Sequence, residues 1–228
     1  MTHGDDEGLK VPPRIAPYQV VIVPIARKEE DKKAVFEYAE NLQAELKKKF
    51  PFGDKIRVKF DKRDKSPVDK RWEWLRKGAP VVIEVGPKDI EKNCVAVNFR
   101  DKMGDKKQFI DLEEFTSNID VTLESIQKDM FESAKKLMDD NIVAVDGWDE
   151  LVAHFKKKNA FLGGEEETKT PGLVIAKWSG ENEKELEDKL KTFQAAIHCI
   201  PNKQSGVSGK CILTGEDATT DILIGRSY

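Results

Sequence analysis

Cysteine and histidine are scarce in this sequence, three of each in 228 residues. Cys94, Cys199 and Cys211 are odd in number and far apart, which argues against a disulfide framework and fits a reducing, cytoplasmic compartment. Neither Cys199 nor Cys211 has a Cys-x-x-Cys partner, so zinc held by closely spaced ligands is not expected. His3, His154 and His198 lack any Gly-x-Ser-x-Gly or comparable nucleophile motif nearby, which removes the usual hydrolase chemistry. Gly209-Lys210 is followed by Cys211 and lacks the upstream glycine of a phosphate loop, and no Gly-x-Gly-x-x-Gly occurs. No apolar run approaches the ~18 residues of a membrane span, and the polar stretch Met1 to Lys10 does not read as a signal peptide. An excess of positive charge is missing too: 39 Lys and Arg face 42 Asp and Glu, for a net charge of -3, which excludes a wholesale polyanion binder.

What is present is local. Ala79 to Asp89 reads Ala-Pro-Val-Val-Ile-Glu-Val-Gly-Pro-Lys-Asp. Its β-branched run, closed by Gly86-Pro87, predicts a strand buried on both faces in the middle of an α/β sheet. Glu84 is anomalous there, because a carboxylate in such a run needs a partner or a route to water. Lys88 and Asp89 fall just past the strand, at the carboxyl edge where open α/β sheets bind ligands. Between Lys55 and Lys77, ten basic residues, Arg63, Arg71 and Arg76 among them, face four acids. Such a segment can neutralise phosphates, although lysine-rich helices are commonly only solvated faces. Trp72 and Trp74 lie inside it, as core residues under a helix or as surfaces for base stacking.

Around this stretch the pattern is α/β. Residues 1–15 are Gly-, Asp- and Pro-rich and read as a linker. Tyr18 to Ile25 is a strand, and Val35, Ala39, Leu42, Leu46 and Phe50 form one helical stripe. Ile56 to Phe60 is a strand nearer the edge, 68–77 a short helix, and Cys94 to Phe99 and Gln108 to Leu112 two more strands. The expectation is a mainly parallel sheet covered by helices. A long helix from near Glu113 carries Ile119, Leu123, Ile126, Met130, Ala134 and Leu137. A smaller α/β unit follows, with a surface loop at Gly163-Gly164 and Glu165 to Glu167.

A resemblance adds to this. Thr2 through Pro17, Asp61-Lys62-Arg63-Asp64, Lys77-Gly78-Ala79-Pro80, Glu84-Val85-Gly86-Pro87-Lys88-Asp89 and Gly225-Arg226-Ser227-Tyr228 together resemble prolyl-tRNA synthetases of the eukaryote/archaeal type, class II, over the whole length and in the same order. The resemblance implies that 1–15 is the remnant of a catalytic-domain motif and linker. It implies further an anticodon-binding domain at 16–112, a connecting helix at 113–140 and a C-terminal domain at 141–228. It implies tRNA(Pro) as partner, with Glu84, Asp89 and Lys106 nearest the anticodon bases and Lys88, in place of an arginine, on a phosphate; the basic track read from charge, with Arg63, Arg71 and Arg76, then faces the anticodon stem. The catalytic domain, which in this family uses ATP and magnesium and makes most of the homodimer contact, is expected outside these residues, and no cofactor is expected within them.

Three departures matter. Where the family carries a base-reading glutamate and arginine, this chain has Leu75 and Val82, neither able to hydrogen-bond a base edge. The four zinc cysteines of many relatives correspond to Ser179, Lys184, Cys211 and Leu213, so the second domain is expected to be zinc-free and stabilised by packing. Tyr228 matches a terminal tyrosine that turns back towards the catalytic domain. Two readings remain open: a tRNA-binding portion of a synthetase, or a non-catalytic paralogue or protein-interaction module with degenerate anticodon recognition.

Overall fold

The computed structural model of the chain describes residues 3–26, 28–157 and 172–226. The Gly163-Gly164 loop with its acidic run, and Tyr228, lie outside the described residues. The chain forms two compact units, Met1–Ala134 and Lys135–Tyr228.

The first unit opens with a two-residue hairpin, β1 (Gly4–Asp5) and β2 (Gly8–Leu9), and continues through β3 (Val20–Pro24), α1 (Glu29–Leu46), β4 (Val58–Phe60), α2 (Pro67–Arg76), β5 (Val81–Val85), α3 (Pro87–Glu91), β6 (Cys94–Phe99), β7 (Gln108–Asp111) and α4 (Leu112–Asp139). Every residue of β3 and β5 is buried, as expected of strands covered on both faces. The sheet order is β4-β3-β5-β6-β7, with β4 at one edge. It is less parallel than the sequence pattern suggests. β4, β3 and β5 run parallel, but β6 and β7 are antiparallel to their neighbours. The short connection 86–93 is the reason, because a parallel return needs a crossover of a dozen or more residues.

One sheet face and the apolar stripes of α1 and α4 form the main core. Val20, Ile22, Val81, Ile83, Val85, Val95 and Val97 meet Ala39, Leu42 and Leu46 from α1 and Phe115, Ile119, Leu123 and Ile126 from α4. The α1 stripe ends at Leu46. Phe50 lies beyond the helix and is 56% exposed, while Phe52 in the following turn packs on the core instead. In α4 full burial ends at Ile126, Met130 still packs partly on the core, and Leu137 is exposed. Asp111 caps this helix, its Oδ1 accepting from the amides of Glu113 and Glu114. The other sheet face meets α2 through Val21, Val23 and Val82 against Leu75 and Ala79. α2 starts where Ser66 accepts from the Asp69 amide and Pro67 occupies the first turn.

The second unit comprises β8 (Ile142–Ala144), α5 (Trp148–Lys157), β9 (Leu173–Trp178), α6 (Glu183–Lys191), β10 (Ala195–Cys199), β11 (Gly209–Lys210), β12 (Asp217–Ala218) and β13 (Thr220–Arg226). The main sheet is ordered β10-β13-β9-β8, and only the β8–β9 pair is parallel. β9 alternates cleanly, so that Val174, Ala176 and Trp178 enter a core with Leu151, Phe155, Leu186, Leu190, Ile222 and Ile224. Cys211 to Thr214 is a turn rather than a strand.

The N-terminal hairpin is a fixed part of the first unit and not a free linker. Arg100 is fully buried. It donates through Nε to the Leu75 carbonyl (2.9 Å), through Nη1 and Nη2 to both Asp5 carboxylate oxygens (2.9 and 2.6 Å), and through Nη2 to the Gly8 carbonyl (2.9 Å). The backbone yields to this docking at two glycines. Gly8 (φ 125°) would place a Cβ 2.6 Å from the Arg76 carbonyl oxygen, and Gly78 (φ 82°) would place one 2.6 Å from the Val11 side chain. The Arg100 guanidinium and the Lys10 ammonium hold the Asp5 carboxyl well below the usual carboxylate range. Its contribution is therefore complete above the unfolded value of about 4 and is lost as pH falls towards the folded one. Urea midpoints measured from pH 6 to pH 2 should decline on the acid side, and Asp5→Asn should flatten that decline; an identical profile in the variant would show that the hairpin does not report on this pair.

Candidate nucleic-acid interface

Strand pleating decides which side chains share the second sheet face. Cross-strand register aligns Val23, Glu84, Ala96 and Phe109 in one row, and Val21, Val82 and Asn98 in the next. Side chains two apart on a strand point the same way, so these residues and Lys107, two before Phe109, belong to one face. α2 packs on the β3 and β5 part of it through Val21, Val23 and Val82. Glu84, Asn98, Lys107 and Phe109 continue the same face beyond that packed cluster.

Glu84 is the centre. Its side chain is 3% exposed, and both carboxylate oxygens are engaged. Arg71 Nη1 donates to each at 3.4 Å, while Lys107 Nζ (3.2 Å) and Asn98 Nδ2 (3.3 Å) donate to Oε2. Two cations and an amide answer the burial problem that the sequence posed for this acid. Asn98 Nδ2 also donates to the Val82 carbonyl at 3.4 Å.

Two cavities flank this cluster and share Lys107. One, of about 300 Å³, is lined by Arg71, Trp72, Leu75, Asn98, Met103 and Lys106 among others. The second, of about 880 Å³, is lined by Lys28, Pro87, Lys88, Asp89, Lys92 and Phe109 among others. The expected site residues thus separate. Arg71 and Lys106 belong to the first cavity and Lys88 and Asp89 to the second, with Glu84 buried between its cations. Asp89 also has a structural task, since its Oδ2 accepts from the Gly86 amide (2.8 Å) at the start of α3.

Arg63 stands in another environment. It bonds Asp61 through Nε (2.9 Å) and Nη2 (2.6 Å), and Glu73 through Nη1 (2.9 Å). Burial alone would raise the Asp61 carboxyl, but the hydrogen bonds from Arg63 and from Trp74 Nε1 (2.7 Å) hold it well below its ordinary range. Glu73, bonded by Arg63, Lys77 and Lys65, is lowered to about 2. With Tyr18, Lys59, Lys62 and Lys77, Arg63 lines a third, shallow cavity. Arg76 is exposed at the end of α2 and lines none of the three. Of the two tryptophans, Trp74 packs against the small apolar cluster under α2, whereas Trp72 is 37% exposed.

Lys107, Asn98 and Phe109 are site residues that sequence reasoning missed. The alternation through Cys94 to Phe99 places Asn98 on the Glu84 face once the strand direction is known. Lys107 carried no signal of its own, because it sits beside Lys106 and only the register of β7 tells them apart.

The family described as "Anticodon binding domain" matches residues 19–122, and that described as "Prolyl-tRNA synthetase, C-terminal" matches residues 165–228. Over its whole length the chain is similar to one portion of prolyl-tRNA synthetases. It is 42% identical over 229 residues to the proline–tRNA ligase of Protochlamydia amoebophila, 36% over 229 to that of Paramagnetospirillum magneticum and 35% over 232 to that of Roseiflexus sp.. These alignments take in all of this chain and 44%, 43% and 44% of the relatives, so the chain spans less than half the length of the curated relatives it matches.

The two positions at which the resemblance expects base-reading side chains fall in one place. Leu75 and Val82 are both buried in the cluster with Val21, Val23 and Ala79, and Leu75 also forms part of the first cavity wall. In the C-terminal domain the residues at the zinc positions do not fit the metal. Cys211 Sγ lies 3.7 Å from Ser179 Oγ, and Leu213 offers no donor atom. Burial raises the Cys211 thiol, but bonds from the Thr214 side chain and from the Thr214, Leu213 and Ser179 backbone bring it down to about 7. Among the described residues no group of three His, Cys, Asp or Glu side chains is placed to hold a metal ion.

Glu84→Gln keeps the shape of the side chain and removes the charge that two cations share. Urea unfolding should show a loss of about 1.5–3 kcal/mol, the scale of a charge-assisted hydrogen bond. An unchanged midpoint would mean that water, and not Glu84, satisfies Arg71 and Lys107.

Proposed function

We propose that the chain binds proline tRNA by its anticodon arm, as the RNA-binding portion of a proline–tRNA ligase. The observation that carries this reading is the Glu84 cluster. In a domain matched to anticodon-binding domains, one buried carboxylate fixes two cations and an amide at the seam of two cavities. Lys28, Lys88, Lys92, Lys102 and Lys106 around these cavities supply charge for phosphates, and Asn98 supplies a polar group for base edges. The basic face with Lys59, Lys62, Arg63 and Lys77 extends the contact to the anticodon stem.

The attachment of proline to tRNA, with ATP and magnesium, then belongs to the part of the relatives that lies beyond the aligned region, and that catalytic part is the chain's protein partner and the main source of dimerisation. The free cysteines Cys94, Cys199 and Cys211 agree with a cytoplasmic location, and no described helix is long and apolar enough to cross a membrane. The apolar Leu75–Val82 pair favours a second reading, a non-catalytic module whose base reading has degenerated.

Titration of the chain with proline tRNA and with an anticodon-swapped version at two salt concentrations separates the readings. Synthetase-like binding should weaken steeply with salt and by about tenfold or more on the swap, given the ~1–3 kcal/mol carried by one base contact. Salt-dependent binding that ignores the swap supports the second reading, and negligible binding of both RNAs would sink the first.

A further inference from the structure

Glu84 organises the interface symmetrically. Each of the two cations it holds lies near an exposed aromatic ring: Arg71 Cζ is 5.5 Å from the centroid of Trp72, and Lys107 Nζ is 5.9 Å from that of Phe109. Trp72 is 37% exposed and lines the first cavity; Phe109 is 64% exposed and lines the second. Phe109 lies in the Glu84 row of the sheet, on the last strand. The nearby large apolar side chains that pack a core, such as Ile110, are on the opposite face.

On this basis, which rests on the RNA reading above, we propose that Trp72 and Phe109 are the stacking platforms of the interface. Each receives one unpaired base, and Lys107, in the wall common to both cavities, neutralises the phosphate that joins the two nucleotides. The chemistry suits consecutive unstacked nucleotides of an RNA loop. An aromatic ring accepts the face of any base, a cation beside it accepts the adjoining phosphate, and the buried carboxylate keeps that cation from swinging away. The apolar Leu75 in the first cavity fits this division of labour, since a base held by stacking needs a flat, dry surface beside it and not a hydrogen-bonding partner at every edge. The ring–cation pairs at Tyr18, Phe60 and Trp74 lack this arrangement: the cations over them, Lys59, Lys62, Arg63 and Lys77, have no common buried acid, and Asp61 and Glu73 hold Arg63 from two sides.

The test uses the whole chain and the anticodon stem-loop of proline tRNA with 2-aminopurine placed in turn at each loop position. Trp72→Ala and Phe109→Ala should each weaken binding about 5- to 100-fold, the range found for losing one stacked base. Each should relieve fluorescence quenching at one loop position, a different one for each variant, while Trp72→Phe and Phe109→Tyr retain most of both signals. Phe109 is the more exposed ring, so Phe109→Ala should leave the unfolding midpoint near that of the parent chain, and Trp72→Phe, which keeps a ring in the partly covered site, serves as the stability control for Trp72→Ala. If the parent chain binds with salt dependence and both alanine variants match it in affinity and quenching, the stacking role is wrong and the RNA reading survives. If the parent chain does not bind the stem-loop, both fall together.

Discussion

A carboxylate cannot stay charged in the middle of a buried strand without partners, and this constraint shapes the first unit. β5 is covered on both faces and still carries Glu84. The fold satisfies that group by bringing Arg71 from α2, Asn98 from β6 and Lys107 from the approach to β7 to one point. Three separate segments are thereby held in register with the central strand. The same contacts leave two cavities with Lys107 as their common wall, so the partners that a buried charge demands also shape the surface around it.

Arg100 plays a comparable part at the C-terminal end of α2. A guanidinium with three different acceptors fixes the N-terminal hairpin, the carbonyl at Leu75 and the end of β6 relative to one another. Leu75 therefore has two neighbourhoods, its side chain in the small apolar cluster and its carbonyl on Arg100. The second unit shows a contrasting solution. There, alternating burial in β9 and the helical stripes of α5 and α6 build an apolar core by packing.

Much of the fold was legible because the residues that build it are strongly patterned. The β-branched run of β5 and the three- and four-residue spacing of α1 each have one reading, whereas the alternating burial of β9 is invisible in its largely apolar sequence. The missed features depend on register and on chain ends. Phe50 continues the α1 stripe in sequence, but the helix stops four residues earlier. The antiparallel return of β6 follows from the shortness of 86–93, a geometric limit that residue types do not express. Glu84 and the basic track were visible, but their partners were not, because Lys106 and Lys107 are indistinguishable until β7 is placed against β6. Asp61 reads as a loop acid and is buried, since Arg63 and Trp74 close over it from both sides.

The shared burial of Leu75 and Val82 bears on how such an interface can change over time. An arginine at position 82 alone would place a guanidinium among Val21, Val23 and Ala79, and a glutamate at 75 alone would place a carboxylate against the same apolar side chains. Only the double change passes between an ionic and an apolar arrangement at tolerable cost. The two positions are therefore linked, and a polar substitution at either one is felt by the apolar cluster that both share.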